Sequence, residues 1–285
     1  MLSMCIAHHP SELHAYAGGV VVPTMGGLHE GHGALIELAR HEADARGGLP
    51  VVVTVFVNPK QFEEAHDYER YPRTLAHDSA ICEASGADCV FAPPVEEVYP
   101  PGGPDGAGPI PAVARGPGLE DRYRPGHLEG VCAVVHRLFE LTRAGAAVFG
   151  EKDWQQLQLA RALSRERGLG VEIIPGETVR EADGLAMSSR NRFLTPEDRP
   201  RADALYRALS AAQREDTPEA AESRMHAILE EAGVMTEYAA VRDAETLLAW
   251  SPGRPGRSLV AARLGAVRLI DNMAWIPPGL GRRAL

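Results

Sequence analysis

The sequence of 285 residues contains few lysines, few cysteines and no long apolar run. Among its 29 basic residues only Lys60 and Lys152 are lysines, and the others are arginines. Four cysteines are present, and no two of them form the C-x-x-C pair that is typical of a metal or redox site. We therefore interpret the cysteines as reduced, mostly buried thiols.

Positive charge is scarce as well. The formal net charge is −10 and the pI is near 5.6, whereas a protein that neutralises the phosphates of a duplex needs a basic surface. These values exclude a general nucleic-acid binder, but small anions remain possible ligands where cations cluster. The N-terminus has no basic stretch followed by an apolar one, and nowhere are 18 consecutive residues apolar. We expect a cytoplasmic protein that does not contact a membrane.

Short apolar runs alternate with helical periodicity over the first 175 residues. The runs at 19–23 and 50–57 are typical of strands buried on both faces, and residues 33–45 between them have helical spacing. The alternation continues with helices predicted at 74–85, 128–142 and 153–167, and with strands at 89–92, 146–149 and 171–175. This order predicts an α/β fold, a Rossmann-like doubly wound parallel sheet.

The pattern changes after about residue 195. Ala-rich helices are predicted at 196–214 and 218–232, and strands near 237–241, 258–263 and 267–270, which together indicate a smaller C-terminal α+β domain. We place the two domains at 1–178 and 179–285 and regard the second as a candidate lid. Residues 100–118 are rich in Pro and Gly and have no periodicity, so we expect a long, mobile surface loop there.

The segment P-T-M-G-G-L-H-E-G-H at 23–32 connects the first predicted strand to the first helix, where open parallel sheets bind their ligands. Gly26 and Gly27 allow close approach of a ligand, and a helix N-terminus favours an anion. We expect His29 and His32, three residues apart on one helical face, to donate hydrogen bonds to a phosphate chain. The H-E-x-x-H spacing of a zinc site is absent. The alternative is a structural pair of histidines.

Two further polar segments follow predicted strands. In F-V-N-P-K-Q-F at 56–62, the amides of Asn58 and Gln61 are suited to orient a hydroxyl or carboxylate, although a plain polar loop is an equal alternative. In G-E-K-D-W-Q-Q at 150–156, Lys152 stands at a predicted helix N-terminus, where a cation is unfavourable unless it serves an anion. Asp153 is a candidate N-cap or ribose contact, and Gln156 would face the same cleft.

Hydroxyl and basic residues make up two more candidate segments. In T-V-R-E-A-D-G-L-A-M-S-S-R-N at 178–191, two serines followed by an arginine suit a flexible phosphate clamp, although serine-rich loops usually have no such role. In R-P-G-H at 124–127, Arg124 and His127 could donate to a carboxylate or a phosphate, although an isolated Arg-His pair is more often a solvated surface.

These segments, in this order and spacing, resemble the pantoate–β-alanine ligase (pantothenate synthetase) family, which belongs to the nucleotidyltransferases with an H-x-G-H motif. The resemblance covers nearly the whole chain, including Y-P-R-T at 71–74 and V-A-A-R-L-G at 260–265. It implies that ATP and pantoate give pantoyl adenylate and pyrophosphate, and that the amine of β-alanine then releases pantothenate and AMP. Two alternatives are another nucleotidyltransferase that acts on a phosphorylated alcohol, and a catalytically silent nucleotide-binding protein.

The resemblance also implies the site residues. Those implied for ATP are Met25, Gly26, Gly27, Leu28, His29, Glu30, Gly31, His32, Gly150, Glu151, Lys152, Asp153, Val179, Met187, Ser188, Ser189 and Arg190. The catalytic set among them is His32, which matches the proton donor, with His29, Lys152, Ser188, Ser189 and Arg190. Those implied for pantoate or β-alanine are Gln61, Gln156, Arg124 and His127.

The resemblance further implies Mg²⁺ bound mainly through the ATP phosphates, no metal site made by the protein, and a homodimer. Lys60 departs from the family pattern, because an uncharged residue is usual there, and we attribute it to chance.

Overall fold

The computed structural model describes residues 4–62, 68–69, 71–106 and 108–277, and the chain divides into two compact units. Unit 1 comprises Met1–Gly150 and Gln156–Glu177, and unit 2 comprises Glu151–Gln155 and Thr178–Leu285. The five residues Glu151–Gln155 therefore belong by their contacts to unit 2, although the chain on both sides of them belongs to unit 1.

Unit 1 contains a six-stranded parallel sheet of order β1-β4-β3-β2-β5-β6. The strands are β1 Cys5–Ala7, β2 Val20–Thr24, β3 Val51–Val55, β4 Cys89–Phe91, β5 Ala146–Gly150 and β6 Glu172–Gly176. The α-helices whose bounds lie within the described residues are α1 Glu30–Ala45, α2 Leu75–Ala84, α3 Val95–Val98, α4 Glu120–Tyr123, α5 His127–Thr142 and α6 Trp154–Glu166, the last of which begins in unit 2. The predicted α/β class is confirmed.

Side chains on both faces of this sheet are buried. On one face, strand residues such as Val22 and Val53 pack against Ile36 and Ala39 of α1. On the other face, Phe149 of β5 meets Phe139 of α5, with ring centroids 6.3 Å apart in an edge-on arrangement. Two covered faces explain why the strands are nearly continuous apolar runs rather than alternating ones.

Unit 2 contains an antiparallel sheet of order β7-β8-β9 with helices packed against it. Its strands are β7 Met235–Asp243, β8 Gly256–Leu264 and β9 Val267–Trp275, and its helices are α7 Ala204–Ala212 and α8 Pro218–Glu231. The hydroxyl of Thr217 accepts the N–H of Ala220 at 3.2 Å and so caps α8, with Pro218 at the first helical position. The core of unit 2 joins Leu205, Met225 and Val260.

The structure differs from the sequence-based description at three places. The helix expected at 196–214 is shorter, because Pro200 lies in a 3-10 turn, Arg199–Arg201, and has no N–H to continue an α-helix. The edge strand β1 was not predicted. The segment 100–118 is more than a surface loop, since Val113 and Ala114 are buried and the side chain of Arg167 donates to the carbonyl of Gly106 at 3.0 Å.

The cysteines are free thiols, three of them buried, as interpreted from the sequence. Burial raises the pKa of the Cys82 thiol to about 12, which suppresses its reactivity as a thiolate. Within the described residues, no helix has both the length and the apolar character that crossing a membrane requires.

Candidate active site

The order in which the chain adds strands to the sheet of unit 1 reverses at β2. The chain runs outward from β2 to β3 and β4, and then returns to place β5 on the other side of β2. β2 pairs with β3 over five residues but with β5 over only two, Val20 with Ala146 and Val21 with Ala147. The two strands therefore separate toward their carboxyl ends, and this opens a crevice at the switch point where such sheets bind ligands.

The two histidines lie at the end of β2, at the start of α1. His29 is the N-cap of α1 in extended backbone, and its Nδ1 accepts the N–H of Gly31 at 3.1 Å. Nδ1 of His32 accepts the N–H of His29 at 3.3 Å, and the ring centroids are 4.2 Å apart. His29 thus precedes the helix rather than sharing a helical face with His32. Because both Nδ1 atoms accept, each neutral ring carries its hydrogen on Nε2, the atom that can donate to a phosphate.

The turn before the histidines is held by a buried carboxylate. Asp78 of α2 is fully buried and accepts the N–H of Gly27 at 3.1 Å and of Leu28 at 2.9 Å. The N–H of Gly26 donates to the hydroxyl of Thr24 at 3.2 Å. These three amides are bonded to protein oxygens, so an anion at this turn would be met by the imidazoles. Gly26 and Gly27 both have positive φ, which explains why glycine is required there.

Gln61 lies in the turn that follows β3, and a hydrogen-bond network orients its amide. The buried side chain of Asn58 donates from Nδ2 to Oε1 of Gln61 at 2.9 Å and to the carbonyl of Gly130 at 3.0 Å. Oδ1 of Asn58 accepts the hydroxyl of Tyr99 at 3.0 Å and the N–H of Lys60 at 3.2 Å. Since Oε1 of Gln61 is an acceptor in this network, its Nε2 is the atom suited to donate to a substrate oxygen.

Arg124 and His127 lie next to the same turn. Nη1 of Arg124 donates to Nε2 of His127 at 2.9 Å, and Nδ1 of His127 lies 3.1 Å from the carbonyl oxygen of Gln61. A guanidinium only donates and a carbonyl only accepts, so the ring carries its hydrogen on Nδ1. The structure therefore joins three of the four predicted substrate residues. The fourth, Gln156, is half-buried near the start of α6.

The segment that carries Lys152 forms a 3-10 turn, Glu151–Asp153, in unit 2. Nζ of Lys152 is 3.8 Å from the carboxylate of Asp153, and the lysine side chain is only 19% exposed. The lysine thus precedes α6, as its predicted place at a helix N-terminus requires.

The serine-rich segment of unit 2 begins as a small hairpin that ion pairs hold in place. Arg180 and Ala186 form an antiparallel bridge, and the guanidinium of Arg180 binds Asp271 of β9 through two hydrogen bonds of 2.7 and 3.0 Å. The N–H of Met187 donates to the carbonyl of Val179 at 2.9 Å. Half-buried Ser188 and Ser189 and exposed Arg190 follow directly. The predicted phosphate-binding residues therefore follow a hairpin whose position is held by the ion pair of Arg180 with Asp271.

Most of the chain resembles known proteins of one family. A family model described as pantoate-beta-alanine ligase matches residues 8–274. The pantothenate synthetase of a Nocardioides species is 51% identical over 275 residues, which cover 92% of this chain and 79% of the relative. That of Paracoccus denitrificans is 50% identical over 260 residues, with 89% of each chain covered. The chain belongs to the pantoate–β-alanine ligase family.

Solved structures of that family share the fold. The pantothenate synthetase of Thermus thermophilus is 42% identical with a TM-score of 0.84, and the match covers 95% of this chain and 99% of that one. The pantoate–β-alanine ligase of Francisella tularensis, complexed with beta-gamma ATP and β-alanine, is 30% identical with a TM-score of 0.73 and coverages of 95% and 98%. The resemblance inferred from the sequence motifs is confirmed.

Sequence reasoning missed residues that lie outside the motifs but contact the candidate site. Asp78, Tyr99 and Arg257 are the main ones, and each contacts a residue that was predicted or its neighbour. Asp78 lies in a helix whose pattern marks it as an ordinary polar position, and Arg257 is one of many arginines. Only their burial distinguishes them, and burial of a single charged residue has no reliable signature in one sequence.

Proposed function

We propose that this chain condenses pantoate with β-alanine at the expense of ATP, through pantoyl adenylate, and releases AMP and pyrophosphate. The observation that carries the proposal is the match to the family over residues 8–274 together with the oriented amide of Gln61. A buried amide with its oxygen engaged by Asn58 presents a donor to a small hydroxy acid, which a phosphorylated alcohol would not need.

Fixed charge and positioning account for the first step. The carboxylate of pantoate attacks the α-phosphorus of ATP. The bond from this phosphorus to the oxygen that bridges to the β-phosphate breaks, and pyrophosphate leaves with the electron pair of that bond. His32 and His29 would donate to the phosphates from Nε2. Lys152 and Arg190 would neutralise the charge of the leaving group, and the hydroxyls of Ser188 and Ser189 would donate hydrogen bonds to it. No covalent enzyme intermediate is required, since the reacting groups need only be aligned.

The second step uses the same bound acid. The neutral amine of β-alanine attacks the carbonyl carbon of the adenylate, the bond to AMP breaks, and the proton that the amine loses passes to solvent water. Gln61, Gln156, Arg124 and His127 would hold pantoate and β-alanine, with Arg124 and His127 linked to each other and to the Gln61 turn. The domains at 1–178 and 179–285, with the second as a lid, remain part of the proposal.

Three expectations accompany this proposal. Mg²⁺ would enter with ATP, held by phosphate oxygens, and among the described residues no three His, Cys, Asp or Glu side chains gather as metal ligands. Mg²⁺ would neutralise phosphate charge and so ease departure of pyrophosphate. A homodimer and a cytoplasmic location are inferred from the resemblance and from the sequence.

The test is a reaction with ATP, Mg²⁺, pantoate and β-alanine, followed by measurement of pantothenate and AMP. Pantoate alone should support exchange between ATP and labelled pyrophosphate, because the adenylate forms reversibly. Exchange absent with pantoate but present with a phosphorylated alcohol would assign the chain to another nucleotidyltransferase. A protein that binds ATP without any exchange would be a silent nucleotide binder.

A further inference from the structure

Asn272 of β9 holds the segment that carries Lys152. Its side chain is 3% exposed, and Nδ2 donates to the carbonyls of Glu151 at 2.9 Å and Lys152 at 2.8 Å. An amide group has two N–H hydrogens, so both are committed to the backbone of this segment. Oδ1 of Asn272 accepts a hydrogen bond from the Nε–H of Arg257 at 2.6 Å. Because Arg257 can only donate and the two carbonyls can only accept, the amide has one possible orientation.

Arg257 of β8 secures the same segment from a second side. It is 7% exposed, its Nη2 donates to the carboxylate of Glu151 at 2.9 Å, and its guanidinium lies 3.6 Å from the ring centroid of Trp154. Burial lowers the pKa of Arg257, and the Glu151 carboxylate opposes that shift. The buried guanidinium of Arg257 thus has three partners, namely a carboxylate, an amide oxygen and an aromatic ring. These contacts compensate for the loss of water around its charge and hold the side chain in one position.

The neighbouring residue of β9 anchors the other phosphate-binding segment. The carboxylate of Asp271 is 1% exposed and binds the guanidinium of Arg180 at 2.7 and 3.0 Å. Arg180 lies in the hairpin that leads to Ser188, and it also lies over the ring of Tyr206. Two consecutive residues of one strand therefore hold the two segments that carry the predicted phosphate ligands of unit 2.

We propose that Asp271 and Asn272 are positioning residues that fix the distance between Lys152 and the Ser188–Arg190 segment. This inference rests on the proposed function, because it assigns those two segments to one triphosphate. Long flexible side chains bind a phosphate well only when their backbone is fixed, and an error of about 1 Å in such a site costs about a hundredfold in rate. The paired anchor on β9 supplies that fixed backbone.

The test begins with Asn272→Asp, which keeps the shape of the side chain. It replaces the donor Nδ2 by an oxygen that faces two carbonyl oxygens, so the Lys152 segment should shift. We expect kcat for ATP–pyrophosphate exchange to fall by about ten- to a hundredfold, with KM for pantoate changed by less than about twofold. Asp271→Asn should act similarly by weakening the Arg180 contact. Equal changes in kcat and in KM for pantoate would overturn the proposal.

A double-mutant cycle separates positioning from general loosening. In a Lys152→Ala background, Asn272→Asp should cost less than about twofold more, because the ammonium group it positions is gone. A full additional loss would overturn the inference. If Lys152→Ala alone exchanges at the normal rate, the proposed role of Lys152 fails instead, which is a distinguishable result.

Two further variants keep the test decisive. Arg263→Gln is the matched control, because Arg263 lies six residues from Arg257 on the same face of β8 and pairs with Glu237 at 2.8 Å. It should leave kcat unchanged, and a loss as large as that of Asn272→Asp would overturn the proposal. If Asn272→Asp does not fold, Arg257→Lys replaces it. An ammonium group cannot reach both Glu151 and Asn272, so kcat should fall, and unchanged kcat would contradict the inference.

Discussion

The carboxylate of Asp78 accepts the backbone N–H of Leu28 at 2.9 Å, across fifty residues of sequence. Because its other oxygen accepts the N–H of Gly27, replacement by Asn would place an amide donor against a backbone donor. We expect Asp78→Asn to lower the free energy of unfolding by about 1 to 3 kcal/mol and to slow ATP–pyrophosphate exchange. Urea unfolding and exchange kinetics measure the two effects.

Ser79 provides a control in the same helix. Its hydroxyl is buried and has no hydrogen-bond partner among the described residues, so Ser79→Ala should leave stability unchanged or raise it slightly. A loss of stability in Ser79→Ala as large as that in Asp78→Asn would show that the helix responds to any substitution, and that the turn contacts are not the cause.

The amide of Gln61 should determine affinity for pantoate. Gln61→Glu keeps an oxygen for the N–H of Asn58 but replaces the donor Nε2 by a second oxygen, which repels a carboxylate. We expect KM for pantoate to rise by at least about tenfold, equivalent to about 1.4 kcal/mol, while KM for ATP changes little. Gln61→Ala should show the same selectivity with a smaller effect. Equal losses for the two substrates would remove Gln61 from its assigned role.

Gly130 of α5 makes room for the Gln61 turn. A Cβ atom added there would lie 2.1 Å from the carbonyl oxygen of Lys60. Gly→Ala inside a helix ordinarily stabilises by about 0.5 to 1 kcal/mol, but here the overlap should reverse the sign and cost about 2 kcal/mol. Gly33→Ala in α1 is the control, because its Cβ would lie 3.2 Å from the side-chain hydroxyl of Ser85 rather than against backbone. The loss of stability in this variant should therefore be smaller than in Gly130→Ala. Thermal unfolding of both variants gives the comparison, and a stabilised Gly130→Ala variant would contradict the packing.

Asp243 should make the stability of the protein depend on acidic pH. Burial pushes its pKa upward, but hydrogen bonds from the side chain of Arg254 and from Thr246 hold the pKa at about 2. Since this is below the unfolded value of 3.8, the carboxylate stabilises the fold above about pH 4 by about 2 kcal/mol, and the contribution is lost as pH falls toward 2.

The variant Asp243→Asn tests this dependence by urea unfolding at pH 7, 5 and 3. Its deficit relative to the parent protein should be largest at pH 7 and should shrink at pH 3. Asp203→Asn is the control, because its ion pair with Arg207 is half-exposed and should contribute less than about 1 kcal/mol. A deficit in Asp243→Asn that is constant with pH would rule out the charge as its origin.

The sheet of unit 1 could be predicted because its strands are apolar runs of adequate length. The run at 50–57 contains β3, and the run at 146–149 contains all but the last residue of β5. β1 has three residues with only one of them fully buried, so it has no such run. The sequence also could not show that Glu151–Gln155 would belong to unit 2, because that depends on contacts with residues more than one hundred positions away.

The sequence indicates the motifs of the candidate site, but it does not show the contacts that orient them. His32 was identified from the H-x-G-H spacing, yet the extended backbone of His29 was not, because cap geometry is decided by local hydrogen bonds. Lys60 was attributed to chance. In the structure its Nζ lies 3.3 Å from the carboxylate of Asp105 and 4.3 Å from the ring centroid of Tyr99. These are an ion pair and a cation–π contact, and an uncharged side chain would make neither.

The attachment of the Lys152 segment to β8 and β9 also has a consequence for the order of folding. Its partners Arg257 and Asn272 follow it by 106 and 120 residues, so on the ribosome the lysine is synthesised long before the residues that hold it. The parallel sheet of unit 1 can assemble while those residues are still absent. We therefore expect Lys152, the cation proposed to bind the triphosphate, to be among the last parts of the molecule to reach its final place. If that role is right, a nascent chain that has folded only its first unit should not yet catalyse the reaction.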